Sequence, residues 1–324
     1  MTRPMLIDTD PGIDDALAIL LALGSPEVSV EAITTVAGNV GIEAATAAAF
    51  RILDVARPER RPRVAQGAAH PLRRPLSDAA RYHGDDGLGN LGARTNPDGT
   101  PRYRPVAAEL DPLDGPDLIL DALERFGREL VIVALGPLTN IAIALARDRA
   151  RLARLSRLVV MGGAVRVPGN VTPAAEFNFF TDPDAVAVVL ASGLPVEMVP
   201  LDVTRQVLLT RRALDSALGA ANSARAHFVR DVTARALDRG EGERGMPLHD
   251  PLAVGVALDP TVVGLERLHV AMETEGRETR GMSLADLRPS PADQRAAPTC
   301  AVATSVDAPR FLSLFLERVC RPSA

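Results

Sequence analysis

Lysine is absent from this 324-residue chain, in which all 36 basic residues are arginine. Schiff-base chemistry and a phosphate loop of the GKS or GKT type are therefore excluded. Tryptophan is also absent and aromatic residues make up 3% of the chain, so few rings are available to stack on a planar ligand. Only Cys300 and Cys320 are present. Their number and spacing suit neither a disulfide scaffold nor a zinc site, and both read as packed thiols. The net charge of −5 lacks the basic footprint of a nucleic-acid binder. No apolar run reaches membrane-spanning length, and Asp8 interrupts the first one too early for a signal peptide. The expectation is a cytoplasmic protein without nucleic-acid or membrane partners.

What is present is an ordinary globular composition, 47% hydrophobic and 24% charged, long enough for one large α/β domain. One stretch stands out: Asp8-Thr-Asp10-Pro-Gly-Ile-Asp14-Asp15-Ala-Leu-Ala18. Four carboxylates occupy positions 8–15, between a short apolar run at 5–7 and apolar residues at helical spacing beyond Ile13. They thus fall at a strand's C-terminal end and in the first turn of the following helix, the edge where open α/β sheets bind ligands. Asp at a helix start is commonly a cap, but four interleaved with Pro-Gly repel one another. A hard cation such as Ca²⁺, which takes six to eight oxygen ligands, relieves that repulsion.

The stretch DTDPGIDDALA resembles the N-terminal fingerprint of the nucleoside hydrolases, the inosine–uridine-preferring N-ribohydrolase family. It is the first of five matching segments in order between positions 8 and 250, about three quarters of the chain. Asn39 ends a strand read at 30–37. Leu135 precedes Gly136-Pro-Leu-Thr-Asn140. Met161-Gly-Gly opens a loop carrying Asn170, Glu176 and Asn178, and His249-Asp250 opens a helix. Read alone, the loop's amides and carboxylate suit a polyol.

The resemblance implies a calcium-dependent enzyme that hydrolyses the N-glycosidic bond of ribonucleosides, giving ribose and free base. It assigns the metal to Asp10, Asp15, Asp250 and the Leu135 carbonyl. It gives the 2′-hydroxyl to Asp14, the 3′-hydroxyl to Asn178, and the 5′-hydroxyl to Asn170 and Glu176. Asn39 stands beside the water and the 3′-hydroxyl, and Met161 is counted with the substrate-binding residues. Asp10 is the general base, and His249 either protonates the departing base or stabilises its negative charge. His83, in HGDDGL, resembles the mobile loop that flanks the base, and His227 is a further residue that could face it. The paucity of rings leans weakly toward a pyrimidine or non-specific enzyme. A homodimer or homotetramer is implied by the family alone.

Elsewhere strands alternate with helices: strand 63–66, helix 117–126, strand 130–135, helix 138–146, strand 158–161, helix 184–191 and strand 196–201. This predicts one doubly wound, mostly parallel sheet with helices on both faces, and an additional helical and small-strand region after residue 203. Helices are expected at 211–218, 221–238 and 309–319, strands at 268–272 and 300–305, and loops at 68–116, 239–245 and 289–298. The whole of 1–324 is expected to be a single nucleoside hydrolase-like domain. The competing reading is a Mg²⁺-dependent aspartyl phosphotransferase or phosphatase using Asp8-x-Asp10. It lacks the lysine such chemistry often uses for phosphate and leaves Asp14 and Asp15 without a role.

Overall fold

The computed structural model describes residues 2–103, 106–107, 109–238, 245–289 and 296–320. The expected loop at 239–245 lies, except for Gly245, outside them, as does the middle of the connection expected at 289–298.

The strands are β1 (Arg3–Thr9), β2 (Val28–Thr35), β3 (Arg63–Gln66), β4 (Val131–Ala134), β5 (Arg157–Met161) and β6 (Val196–Val199), with β7 (Leu208–Leu209) and β8 (Met246–Pro247) as a minor pair. They are followed by β9 (Val263–Leu268), β10 (Val270–Met272), β11 (Ser283–Ala285) and β12 (Cys300–Val306). Eight of them form one sheet in the order β3-β2-β1-β4-β5-β6-β12-β9. All neighbouring pairs are parallel except the last, β12 with β9. The mostly parallel, doubly wound sheet expected from the sequence is therefore present.

The central strands are apolar on both faces because both faces are covered. Met5 and Ile7 pack on one side with α1 (Ile13–Leu23), α2 (Ile42–Ala56), α11 (Ala224–Asp238), α12 (His249–Leu258) and α13 (Ala308–Cys320). Leu6 points the other way, toward α4 (Gly115–Phe126), α5 (Thr139–Arg147) and α8 (Pro183–Leu190). The remaining helices are short: α3 (Ala80–His83), α6 (Arg149–Leu152), α7 (Phe177–Thr181), α9 (Leu201–Thr204) and α10 (Arg211–Leu218).

From β1 the chain winds outward through β2 to β3, then returns to β4 on β1's other side. This reversal leaves a crevice at the C-terminal ends of β1 and β4, where open sheets bind ligands. Asp8 pairs with Ala134 across it, and the Leu135 N–H donates to the Asp8 carbonyl at 2.7 Å.

Among the described residues several elements differ from the expected ones, including the helix α3 within the loop expected at 68–116. The strand read at 196–201 stops at Val199 and continues as α9, because Pro200 cannot donate to the ladder but suits a helix start. The strand read at 268–272 is two, since β9 belongs to the main sheet while β10 pairs only with β11. The loop that carries Asn178 contains α7, a single turn capped by the Glu176 side chain.

Candidate active site

Helices α1 and α12 pack directly on each other on one face of the sheet, which brings their N-terminal turns together. Asp14 and Asp15 occupy the first turn of α1, and Asp250 the first turn of α12. Free backbone N–H groups at both ends favour negative charge there. One oxygen from each of Asp14, Asp15 and Asp250 lies within 4.8 Å of the others, and all three residues are buried.

Asp15 also serves as the cap that the common reading of such residues expects. Its Oδ2 accepts from the Gly12 N–H at 2.8 Å, and its Oδ1 from the Thr9 hydroxyl at 2.5 Å. Asp10 is outside the compact trio. Its Oδ2 accepts from the Asn39 N–H at 2.7 Å, while its Oδ1 is buried without a hydrogen-bond partner. The Asn39 amide links the two, donating to the Asp10 carbonyl and to Asp15 Oδ2, both at 3.1 Å. The backbone closes on Asp10: a Cβ at Gly38 would fall 2.0 Å from Oδ2, and one at Gly136 would fall 2.5 Å from Oδ1.

Burial raises all four carboxyls. Asp10 and Asp250 sit well above the ordinary carboxylate range, and Asp14 is pushed up to about 7. For these three the neighbouring carboxylates add to the effect of burial. An unpartnered buried acceptor beside a carboxylate trio is what a cation would satisfy. An all-oxygen donor set of this kind fits Ca²⁺ or Mg²⁺ rather than a softer metal.

Asp8 behaves differently. Its Oδ1 accepts from the Thr34 hydroxyl at 2.5 Å and the Asn140 amide at 2.7 Å. Its Oδ2, like Asp10 Oδ1, is buried without a partner, and neither Asp8 nor Asp10 lines the adjacent cavity. The clustering of Asp14, Asp15 and Asp250 is what the Asp8-x-Asp10 phosphotransferase reading leaves without a role.

A cavity of about 400 Å³ opens above the acidic floor, a size suited to a small ligand. Asp14, Asn39, Leu135, Asp250 and His249 line it together with Met161, Asn170, Glu176 and Asn178. Residues separate in sequence thus share one space. The Asn178 amide donates to the carbonyls of Leu135 at 2.6 Å and Met161 at 3.2 Å, leaving its oxygen as an acceptor for a ligand. Glu176 accepts from the N–H groups of Gly163, Asn178 and Phe179. Burial nonetheless pushes its carboxyl up to about 7. The Asn170 side-chain oxygen takes the Phe177 N–H at 2.9 Å.

His249 has Nδ1 2.7 Å from the Thr204 hydroxyl. Burial, helped by the nearby Arg205 charge, pushes its pKa down to about 4, so the ring is neutral at pH 7. His83 also lines the cavity, and its Nδ1 accepts from the Ile13 N–H at 3.0 Å. His227 does not face this space. It lines a separate cavity with Arg51 and Tyr103, and its Nε2 lies 2.7 Å from Asn222 Oδ1. The helical face that carries it turns toward the 96–103 segment rather than toward the crevice.

Sequence reasoning missed Tyr82, Phe177, Arg205 and Met246, which also line the cavity.

A family model described as inosine-uridine preferring nucleoside hydrolase matches residues 5–313. The pyrimidine-specific ribonucleoside hydrolase RihA of Photobacterium profundum is 37% identical over 294 residues, covering 88% of this chain and 89% of that protein. The non-specific ribonucleoside hydrolase RihC of Escherichia coli is 39% identical over 289 residues, 89% of each chain. Among solved structures, a purine-preferring ribonucleoside hydrolase from Gardnerella vaginalis superposes with a TM-score of 0.87 at 34% identity, covering 98% of both chains.

Proposed function

The chain belongs to the inosine-uridine preferring nucleoside hydrolase family, and from that membership we propose a calcium-dependent enzyme that cleaves ribonucleosides into ribose and base. The observation that carries the reading is the convergence of Asp14, Asp15 and Asp250 at a cavity that Asn170, Glu176 and Asn178 also line. A carboxylate cluster beside polyol-binding groups suits an ion and a sugar together.

Asp10, Asp15, Asp250 and the Leu135 carbonyl would hold the calcium, with Asp14 beside it for the 2′-hydroxyl. Bound there, a divalent cation supplies Lewis acidity to the attacking water and grip on the diol. The chain's own groups do the rest. Asp10, whose Oδ1 has no other partner, accepts the water's proton. Asn39 locks Asp10 against Asp15 and stands beside the water and the 3′-hydroxyl. The Asn178 oxygen receives the 3′-hydroxyl, while Asn170 and Glu176 receive the 5′-hydroxyl. Asp14 and the neighbouring carboxylates offset positive charge developing on the sugar.

At the other end of the bond His249 meets the base. Of the two roles open to it, its lowered pKa supports the second. With the Thr204 hydroxyl donating to Nδ1, the neutral ring offers its Nε2–H to negative charge building on the base. Tyr82, His83 and Phe177 supply the rings available to flank that base.

The lean toward pyrimidine or non-specific cleavage is supported by the names of the two bacterial relatives. A homodimer or homotetramer and a cytoplasmic location belong to the same proposal. Among the described residues no helix is long and apolar enough to cross a membrane. Reducing-sugar release from uridine, cytidine, inosine and adenosine tests the activity and the base preference at once. Turnover of uridine at least equal to that of inosine is expected. Inosine preferred by tenfold or more would reverse the lean, and no release from any of the four would end the hydrolase reading.

A further inference from the structure

Helix α9 is a single turn between β6 and β7, yet it touches two parts of the site. Thr204 holds the His249 ring at 2.7 Å. Three side chains bind across the gap from this turn and the residue after it, and two of them hold the segment leading into the polyol-binding loop. Asp202 accepts from the N–H groups of Val165 at 2.9 Å and Arg166 at 2.7 Å. Arg205 donates Nη1 to the Pro168 carbonyl and Nη2 to the Gly169 carbonyl, each at 2.7 Å. Asn170 follows directly.

Beyond Gly169 the loop is bonded mainly to itself. Gly169 N–H donates to the Pro173 carbonyl, and Asn170 N–H to the Ala175 carbonyl, both at 3.1 Å. Asn170 Oδ1 takes the Phe177 N–H. A Cβ at Gly169 would stand 2.1 Å from the Ala175 carbonyl, so the loop is folded tightly on itself. Its position relative to His249 then depends on what grips it from outside. Arg205 does so with two charge-assisted bonds from one planar group, and it lines the cavity itself.

We propose that Arg205 is a positioning residue for the 5′ end of the sugar: it pins the 168–177 loop so that Asn170 and Glu176 meet the 5′-hydroxyl while Thr204, on the same turn, keeps His249 at the base. This rests on the assignment of those two residues to the 5′-hydroxyl made above. Because Arg205 spends its donors on backbone carbonyls, its effect reaches the substrate through Asn170 and Glu176. It matters in proportion to what those residues bind.

The test compares wild type, Arg205→Ala and Arg205→Lys on 4-nitrophenyl ribofuranoside and its 5-deoxy analogue, which removes base preference from the comparison. Arg205→Ala should lose about tenfold in kcat/KM on the parent riboside, less than two hydrogen bonds from a charged donor contribute directly, because the loop's own bonds remain. The loss on the 5-deoxy compound should stay under about threefold. Arg205→Lys, which keeps a cation within reach of one carbonyl, should fall between. Calorimetric binding of ribose and 5-deoxyribose to the calcium-loaded protein should show the same pattern without turnover. Equal losses on both ribosides, or none, would overturn the inference while leaving the hydrolase reading intact. A wild type inactive on every riboside would overturn both.

Discussion

Asp10 owes its position to what its neighbours lack. Side chains at Gly38 and Gly136 would collide with its carboxylate, so the backbone can close to a distance that leaves Oδ1 buried and without a partner. His249 is set by presence instead, by the Thr204 hydroxyl, burial and the Arg205 charge. If it acts as a neutral donor to the base, its value depends on how poor the leaving group is. His249→Ala should therefore depress turnover of uridine or inosine by a factor of about 10² or more, within the usual span for such groups. On 4-nitrophenyl ribofuranoside, whose leaving group needs no help, the loss should be several-fold. Equal losses on the two substrate classes, measured as kcat/KM, would remove His249 from that role. At this scale the carboxylates, Asn39, Asn178 and His249 were legible in the sequence because each stands in a short motif beside a strand end. Arg205 and Tyr82 were not, since a single arginine or tyrosine in a loop carries no spacing signal. His227, a residue that could face the base by its helix, lies on the side of α11 that lines a separate cavity.

Among the elements, α11 places part of the cavity wall without entering it. Arg235 donates Nε to the Tyr82 carbonyl at 3.1 Å and Nη2 to the Arg81 carbonyl at 3.0 Å, holding the short α3 turn that presents Tyr82 and His83. Gly87, at φ +73°, lets the following loop pass Pro11, where a Cβ would meet the carbonyl oxygen at 2.4 Å. Arg235→Ala should raise KM by about tenfold while changing kcat little, because in the proposed function α3 carries base-flanking groups rather than reacting ones. A kcat that falls as far as kcat/KM would assign α3 a part in the chemistry. The alternation of strands and helices was readable from apolar runs and turn residues, and β3 and α10 match their expected bounds. The strand expected at 196–201 takes in Leu201, the first residue of α9, because that side chain extends the apolar run of β6 past Pro200. α7 escaped because a single turn is shorter than any periodic signal.

For the whole molecule, the site's electrostatics couple it to stability. Without a cation, the folded protein holds Asp14 and Glu176 at about 7, above their unfolded values near 4. The folded state then binds more protons than the unfolded one between those values, so stability is greatest at the acid end and falls as pH rises toward 7. A divalent ion competes with the protons on the acidic cluster, where Asp10, Asp14, Asp15 and Asp250 are all raised. The melting-temperature gain on adding calcium to stripped protein should accordingly be larger at pH 7.5 than at pH 5. A gain that is equal or smaller at pH 7.5 would mean that the acidic cluster does not hold the ion. The sheet order that creates the crevice was foreseeable only as a class, because the β1–β4 adjacency is a long-range fact that no local pattern states. Cleavage is held to require one cation, bound by acidic groups at that crevice. Titrating calcium into chelator-stripped protein while following ribose release from uridine tests this requirement most directly. The expected result is negligible release at the start and full release at one calcium per chain. Undiminished release from the stripped protein, or no return with calcium, would contradict it.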